Sequence, residues 1–291
     1  MLITCHAYIG TKIRILPYKI GVFCYFLVTF AHRNMNNMQD KRPLILISND
    51  DGYSAGGICQ LTEMLRPLAD IIVFAPDSGR SGASMSITSS HPIKVIPVRE
   101  ESGLAVFSCT GSPVDCVKLA LDSFVPRTPD LVVSGINHGD NSGVNVHYSG
   151  TMGAAIEGCL KNIPSIAFSS YNVDKNADFS SYSEVVIKIC KNVIESGLPK
   201  GTCLNVNFPV SSDFKGVRVC RQDEGQWIGE WEVTCRKNGE KHYWLSGNYV
   251  SDVPNDTTTD RWALDHGYVS ITPTKIDMTD YQVMKNISDW F

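Results

Sequence analysis

Between residues 43 and 216, short continuous apolar runs alternate with segments of helical periodicity. The runs contain no regular polar positions, which is typical of parallel strands buried on both faces. Strands that alternate with helices predict an α/β fold with a mostly parallel sheet and helices on both of its faces. The predicted strands are residues 44–47, 71–75, 131–134, 165–169 and 204–208, with a strand pair at 93–98 and 104–108; the predicted helices are 56–69, 112–124, 153–160 and 181–196.

The pattern changes after residue 216. Residues 221–262 are polar and aromatic without helical period, and they contain turn signals at Asn238-Gly239 and Gly247-Asn248. We therefore predict hairpins that project from the core. All five tryptophans lie at residue 227 or later. On a projecting hairpin they indicate a subunit interface, and the alternative is that they cover one end of the sheet.

These changes divide the chain into an N-terminal extension (1–40), an α/β core (41–216), a hairpin and oligomerisation region (217–262), and a returning strand with a C-terminal segment (263–291). The extension carries basic residues and an apolar stretch at 21–31 that is too short to cross a bilayer. We interpret the extension as disordered, or as the product of a start codon assigned too far upstream, with Met38 as a candidate start. A signal peptide or membrane anchor is the alternative.

Composition narrows the class of protein. The formal net charge of −4 argues against a nucleic-acid polymer as the main partner, but it does not exclude a small anionic ligand. The ten cysteines include no C-x-x-C pair or zinc motif. Cysteines within apolar segments are typical of a reducing compartment, so we expect a cytoplasmic protein without a membrane partner.

Polar side chains collect in four loops, each of which follows a predicted strand or opens a predicted helix. In a doubly wound fold such loops share one edge of the sheet and can converge on one pocket. The four loops are residues 48–52, 75–84, 134–141 and 148–151.

The loops supply chemistry suited to a cation and an anion. Asp50 and Asp51 are adjacent carboxylates, and with nearby hydroxyl and amide oxygens they suit Mg²⁺ or Mn²⁺. The stretch Ser149-Gly150-Thr151 opens a helix, where backbone N–H groups and the helix dipole favour an anion. A cation beside an anion site indicates a phosphoryl substrate.

Each loop also has a purely structural interpretation. Asp50 and Asp51 could form an Asp-Gly turn with a helix cap, and Thr151 could be only a cap. His138 and His147 are candidate bases, although histidines in loops are more often solvated or capping residues. Arg80 could contact a phosphate or only solvent, and we leave it outside the core site.

Five ordered motifs resemble the SurE family over residues 43 to 291, and together they are far more specific than NDDG alone. The motifs are ILISNDDGYSAGGI, APDSGRSGASMSIT, TGSPVDCVKLAL, LVVSGINHGDNSGVNVHYSGTMGAAIEG and WALDHGYVSITP. The resemblance implies a Rossmann-like three-layer α/β/α core with a projecting C-terminal hairpin region used in homodimers or homotetramers. The stretch 221–231 matches no fixed motif of the family, so substrate breadth and assembly stay open.

The resemblance also implies an activity and a site. The activity is a metal-dependent 5′-nucleotidase acting on nucleoside monophosphates, often with activity on 3′-monophosphates and short polyphosphate. The implied ligands of one Mg²⁺ or Mn²⁺ per subunit are Asp50, Asp51, Ser81 and Asn137. The implied phosphate-binding stretch is Ser149, Gly150 and Thr151, and we include Asn49 and Gly82 in the substrate-binding set.

In the mechanism that we expect, the charge of the Asp pair binds the dication, and a metal-activated water attacks the phosphate in line. One of Asp50 and Asp51 binds the ion, and the other orients or deprotonates the water. Two other classes remain open: a non-enzymatic nucleotide sensor with the same pocket, and a receiver domain phosphorylated on Asp. A serine hydrolase is poorly supported, because no G-x-S-x-G elbow surrounds Ser81 or Ser149.

Overall fold

The computed structural model describes residues 42–236 and 238–290. They build a nine-stranded sheet, whose strands are β1 (Leu44–Ser48), β2 (Asp70–Pro76), β3 (Val95–Glu101), β4 (Leu104–Cys109), β5 (Leu131–His138), β6 (Ser165–Ser170), β7 (Thr202–Phe208), β8 (Val217–Val219) and β13 (Val269–Lys275). Their order in the sheet is β3-β4-β2-β1-β5-β6-β7-β13-β8. The pairs β3–β4 and β7–β13 are antiparallel and the other six pairs are parallel.

Helices cover both faces of this sheet, so the predicted α/β/α class is confirmed. The helices are α1 (Gly56–Leu65), α2 (Pro113–Ser123), α3 (Gly150–Leu160), α4 (Ser183–Ser196), α5 (Asp260–Asp265) and α6 (Tyr281–Ser288), with 3₁₀ turns at Gly143–His147 and Ser180–Tyr182. One face of the sheet carries α1 and α4, and the other carries α2 and α3.

The sequence signals at α2 act as predicted. Ser112 caps the helix by accepting a hydrogen bond from the backbone N–H of Asp115 at 3.1 Å, and Pro113 occupies the first turn. The Asp115 carboxylate accepts a bond from the backbone N–H of Ser112 in return, at 2.9 Å. This capping box fixes where the chain turns from β4 into the helix.

The strand order creates a switch point at the centre of the sheet. The chain runs outward from β1 through β2 to β4, then returns to β5 on the other side of β1. The connection after β1 leads to β2 on one side of the strand, whereas β5 and the strands after it lie on the other side. A crevice therefore opens between the carboxyl ends of β1 and β5, where open α/β sheets bind ligands. The NDDG loop follows β1, and Asn137 and His138 end β5.

The region after β8 forms one arm rather than separate hairpins. The ribbon β10 (Trp231–Cys235) with β11 (Lys241–Leu245) continues the ribbon β9 (Gly225–Ile228) with β12 (Asn248–Ser251). Gly247-Asn248, read from sequence as a turn signal, therefore joins β11 to β12 within the arm. The turn at Asn238-Gly239 lies between β10 and β11, as predicted.

The predicted start site at Met38 and the apolar stretch at 21–31 lie outside the described residues. By its contacts the chain divides into Met1–Lys41 and Arg42–Phe291, and the sheet belongs to the second unit. No helix in the described part of the chain has the length and hydrophobicity needed to cross a membrane.

Candidate functional site

The loop after β1 is closed by Asn49. Its side-chain nitrogen donates to the carbonyl oxygen of Gly52 at 3.0 Å, and its side-chain oxygen accepts from the Gly52 N–H at 3.2 Å. Asn49 is fully buried. The sequence predicted Asn49 as a substrate-binding residue, and in the structure its side chain bonds Gly52 and holds the turn that presents Asp50 and Asp51.

Asp50 lies against the first turn of α3. Its Oδ1 accepts a short hydrogen bond from the Thr151 hydroxyl, and the backbone N–H of Gly150 also bonds the carboxylate. Ser149 precedes the helix as its cap, with its Oγ accepting from the Met152 N–H at 3.0 Å. The predicted anion-binding stretch is thus the N-terminus of a helix, and it already contacts one of the two carboxylates.

Burial sets the electrostatics of Asp50. The side chain is almost completely removed from water, and this desolvation raises the pKa of Asp50 to about 6. The bond from Thr151 opposes the rise, while the nearby charge of Asp51 adds to it. A bound cation would offset both the burial of this charge and its repulsion by Asp51.

Asp51 is held by a different element, the end of β5. Its Oδ2 lies 3.1 Å from Nδ1 of His138 and 3.3 Å from the backbone nitrogen of His138. The two carboxylates therefore have different supports: the helix N-terminus of α3 for Asp50, and the last residue of β5 for Asp51.

The second polar loop contacts the first through Arg80, whose backbone N–H donates to the carbonyl oxygen of Asp50 at 2.6 Å. The Arg80 guanidinium bonds Asp77 at 3.1 Å and the carbonyl oxygen of Thr110 at 3.2 Å. Ser81 and Gly82 follow directly and are exposed. The structure thus places this loop beside the carboxylates, but no hydrogen bond within the described residues joins the Ser81 side chain to them.

Asn137 is the penultimate residue of β5. Its side-chain nitrogen donates to the carbonyl oxygen of Gly139 at 2.8 Å. This bond commits the amide nitrogen to the backbone and leaves the amide oxygen for a ligand. The neighbouring His138 contacts Asp51, so Asn137 stands next to the carboxylate loop in the switch-point crevice.

Two residues gain roles that sequence reasoning did not assign. Ser84 bonds the 148–151 loop: its Oγ donates to the carbonyl oxygen of His147 at 2.6 Å, and its N–H donates to that of Tyr148 at 3.1 Å. His138, treated above as one of two candidate bases, has a buried side chain bonded to Asp51. The only sequence signal for Ser84 was its position in a Ser- and Gly-rich loop, whereas His138 was named as a candidate base but not as a partner of Asp51.

The donor set determines which cation the site suits. Across residues 42–236 and 238–290, no cluster of three or more His, Cys, Asp or Glu side chains is arranged to hold a metal ion. A cation here would combine the carboxylates of Asp50 and Asp51 with neutral oxygens, from the Asn137 amide and, by prediction, the Ser81 hydroxyl. Such an oxygen set suits Mg²⁺ or Mn²⁺ rather than zinc.

Fold and site together define a class of protein: a doubly wound α/β protein whose switch-point crevice holds a carboxylate pair beside a helix N-terminus. Comparison with known proteins agrees. The family model described as "Survival protein SurE" matches residues 45–229.

The similarity to individual proteins is extensive. A protein of Phocaeicola vulgatus named 5′-nucleotidase SurE is 54% identical over 253 residues, which cover 87% of this chain and 98% of that protein. A protein of the same name from Bacteroides thetaiotaomicron is 52% identical over 254 residues, covering 87% of this chain and 98% of that protein. The crystal structure of the SurE protein from Aquifex aeolicus matches with a TM-score of 0.73 and 37% identity, covering 85% of this chain and 99% of that one. The chain therefore belongs to the SurE family.

Proposed function

We propose that this protein is a metal-dependent 5′-nucleotidase that hydrolyses nucleoside 5′-monophosphates to nucleoside and phosphate. The enzyme class is that of the proteins named 5′-nucleotidase SurE which are 50% or more identical over most of the chain. The observation that carries the proposal is the placement of Asp50, a buried carboxylate bonded to Thr151 and Gly150 at a helix N-terminus and repelled by Asp51.

This placement suits a cation and a phosphate together. A carboxylate pair at low dielectric is unfavourable without a compensating positive charge, which a divalent cation supplies. The helix N-terminus beside it favours an anion. Asp50, Asp51, Ser81 and Asn137 are the residues that we propose to hold the cation, one per subunit, as Mg²⁺ or Mn²⁺.

The residues of the chain have separate roles in the proposed reaction. When bound, a divalent cation supplies Lewis-acid chemistry at the phosphate and a lowered pKa for coordinated water. The helix dipole at the N-terminus of α3 favours the charge of the phosphate oxygens. Asp51 keeps Oδ1 outside the bonds made by His138, so this oxygen is available to the cation.

The proposed substrate range includes 3′-monophosphates and short polyphosphate. The residues described above would recognise the phosphoryl group rather than the base or sugar, and Ser81 and Gly82 lie at an exposed loop. We propose cytoplasmic localisation on the basis of the eight free cysteines in the described region. Homodimers or homotetramers are proposed on the basis of the exposed apolar face of the arm, formed by Trp231, Val233, Tyr243 and Leu245.

Phosphate release by the purified full-length protein tests the proposal. Nucleoside 5′- and 3′-monophosphates are supplied with Mg²⁺, Mn²⁺ or EDTA. We expect release from 5′-monophosphates that EDTA abolishes, and a loss of at least about 100-fold in Asp51→Asn, because the variant removes a charged ligand. Asp122→Asn, on the exposed face of α2, is the matched control and should retain full activity.

Two outcomes would contradict the proposal. A folded protein that binds AMP with Mg²⁺ but releases no phosphate would be a nucleotide sensor. Full metal-dependent turnover in Asp51→Asn would exclude the proposed role of the carboxylate pair.

A further inference from the structure

His138 makes two hydrogen bonds to one oxygen of Asp51. The ring nitrogen Nδ1 lies 3.1 Å from Oδ2, and the backbone nitrogen of the same residue lies 3.3 Å from it. A side chain and its own backbone thus hold the same carboxylate oxygen. This leaves Oδ1 as the oxygen of Asp51 that neither bond uses.

The ring is enclosed. Only 6% of the His138 side chain is exposed, and its centroid lies 5.2 Å from that of Phe179. The Nε2 atom is buried and has no hydrogen-bond partner among the residues that the structure describes. An unpartnered lone pair costs less than an unpartnered N–H, so this environment favours the tautomer in which Nδ1 carries the hydrogen and donates it to Asp51.

We infer that His138 is a positioning residue for the cation of the proposed reaction: it fixes Oδ2 of Asp51 through Nδ1–H and its backbone N–H, so that Oδ1 is available to the cation. The inference rests on the proposed function. A carboxylate that is already oriented loses less conformational freedom when a cation binds, and partners of metal ligands commonly contribute to affinity in this way.

Asp50, the other carboxylate of the pair, is also oriented by hydrogen bonds. Asp50 is held by the Thr151 hydroxyl and the N–H of Gly150, which belong to α3. Asp51 is held by His138 at the end of β5. Each member of the pair is therefore oriented from a different element, and the loss of one support should leave the other in place.

Two substitutions separate hydrogen bonding from packing. In His138→Asn the side-chain nitrogen occupies nearly the position of Nδ1 and can donate to Asp51, but the ring is lost. In His138→Phe a ring remains beside Phe179 and the donor is lost. The exposed His91, substituted by Asn and by Phe, provides the matched control.

The measurements are the dissociation constant for Mn²⁺, by calorimetry on the full-length protein without nucleotide, and the melting temperature in EDTA. We expect His138→Phe to weaken Mn²⁺ binding about tenfold or more. His138→Asn should bind within about threefold of wild type, because the donor to Asp51 is kept. The melting temperature should follow the opposite order, since Asn leaves a cavity beside Phe179. The two His91 variants should bind Mn²⁺ as wild type does.

A purely structural role predicts a different result. In that case affinity follows packing, and His138→Asn binds Mn²⁺ more weakly than His138→Phe, which would overturn the inference. Wild-type affinity in His138→Phe would also overturn it while leaving the proposed function intact. A wild-type protein that binds no Mn²⁺ would refute both.

Discussion

The carboxylate of Asp50 is the least favourable charge of the site when no cation is bound. Its pKa of about 6 lies above the ordinary value of 3.8, mainly because it is buried and secondarily because Asp51 is close. The folded state therefore binds this proton more tightly than the unfolded chain does. Below about pH 4 the group is protonated in both states and has no effect on stability. As pH rises through 6 the charge must form in the buried site, and stability falls.

Because ionisation of Asp50 lowers the stability of the fold, removing its charge should stabilise the metal-free protein. In EDTA at pH 7.5, Asp50→Asn should unfold with a free energy about 1–3 kcal/mol higher than wild type, and the difference should vanish near pH 4. Added Mg²⁺ should raise the melting temperature of wild type but not of the variant. Denaturant unfolding at several pH values measures this. Asp122→Asn is the control, and equal stability of Asp50→Asn and wild type at pH 7.5 would contradict the prediction.

At the scale of elements, helix α3 brings three parts of the chain together through its glycines. A Cβ atom at Gly150 would lie 2.8 Å from Cβ of Asp50, and one at Gly153 would lie 2.5 Å from the carbonyl oxygen of Ser84. Residues 150–159 are all buried. Glycine lowers helix propensity, but here it permits the close approach of the carboxylate loop and of the loop that carries Ser81.

We predict that Gly153→Ala displaces this second loop. The clash is with backbone, which cannot rotate away, so the variant should lose about 1–3 kcal/mol of stability despite the better helix propensity of Ala. Phosphate release should fall as well, because Ser84 lies in the same loop as Ser81 and Gly82. Lys161→Ala, at the exposed end of the helix, should change neither quantity. Calorimetry and steady-state kinetics measure the two effects, and full activity in Gly153→Ala would show that the loop position is unimportant.

Among the described residues, the arm presents an exposed apolar face. Strand register places Trp231 opposite Leu245 and Val233 opposite Tyr243, so all four lie on one face of the β10–β11 ribbon. These side chains are between 53% and 73% exposed. The base of the arm is anchored, because the buried carboxylate of Asp260 accepts bonds from the backbone N–H groups of Asp223 and Gly143. An anchored arm with an apolar face is suited to contact a second subunit.

Charge on this face should therefore disrupt assembly. We predict that Trp231→Glu combined with Leu245→Glu lowers the solution mass from that of the proposed homodimer or homotetramer to the next smaller species, because each charge would be buried without a partner. Light scattering coupled to size exclusion measures the mass. Thr234→Glu adds a charge on the opposite face of the ribbon and should leave the mass unchanged. An unchanged mass in the double variant would exclude this face as an interface.

The sequence determined the alternation of elements and the residue types at the sheet edge. A continuous apolar run such as 44–47 favours a strand covered on both faces. Ser112 with Pro113 begins a helix through local hydrogen bonds and a fixed φ angle. Motif resemblance also named the family correctly. These signals are local, so they can be read without knowing which strands are neighbours.

Tertiary structure alone decided how those residues meet. Asp50 and Thr151 are 101 positions apart, and Asp51 and His138 are 87 apart. They come together because β5 pairs with β1, and strand order depends on the whole set of helix crossovers rather than on any one segment. The contact of His138 with Asp51 was likewise hidden from the sequence, which offered His138 only as a candidate base. The exclusion of water from its side chain depends on packing between distant parts of the chain.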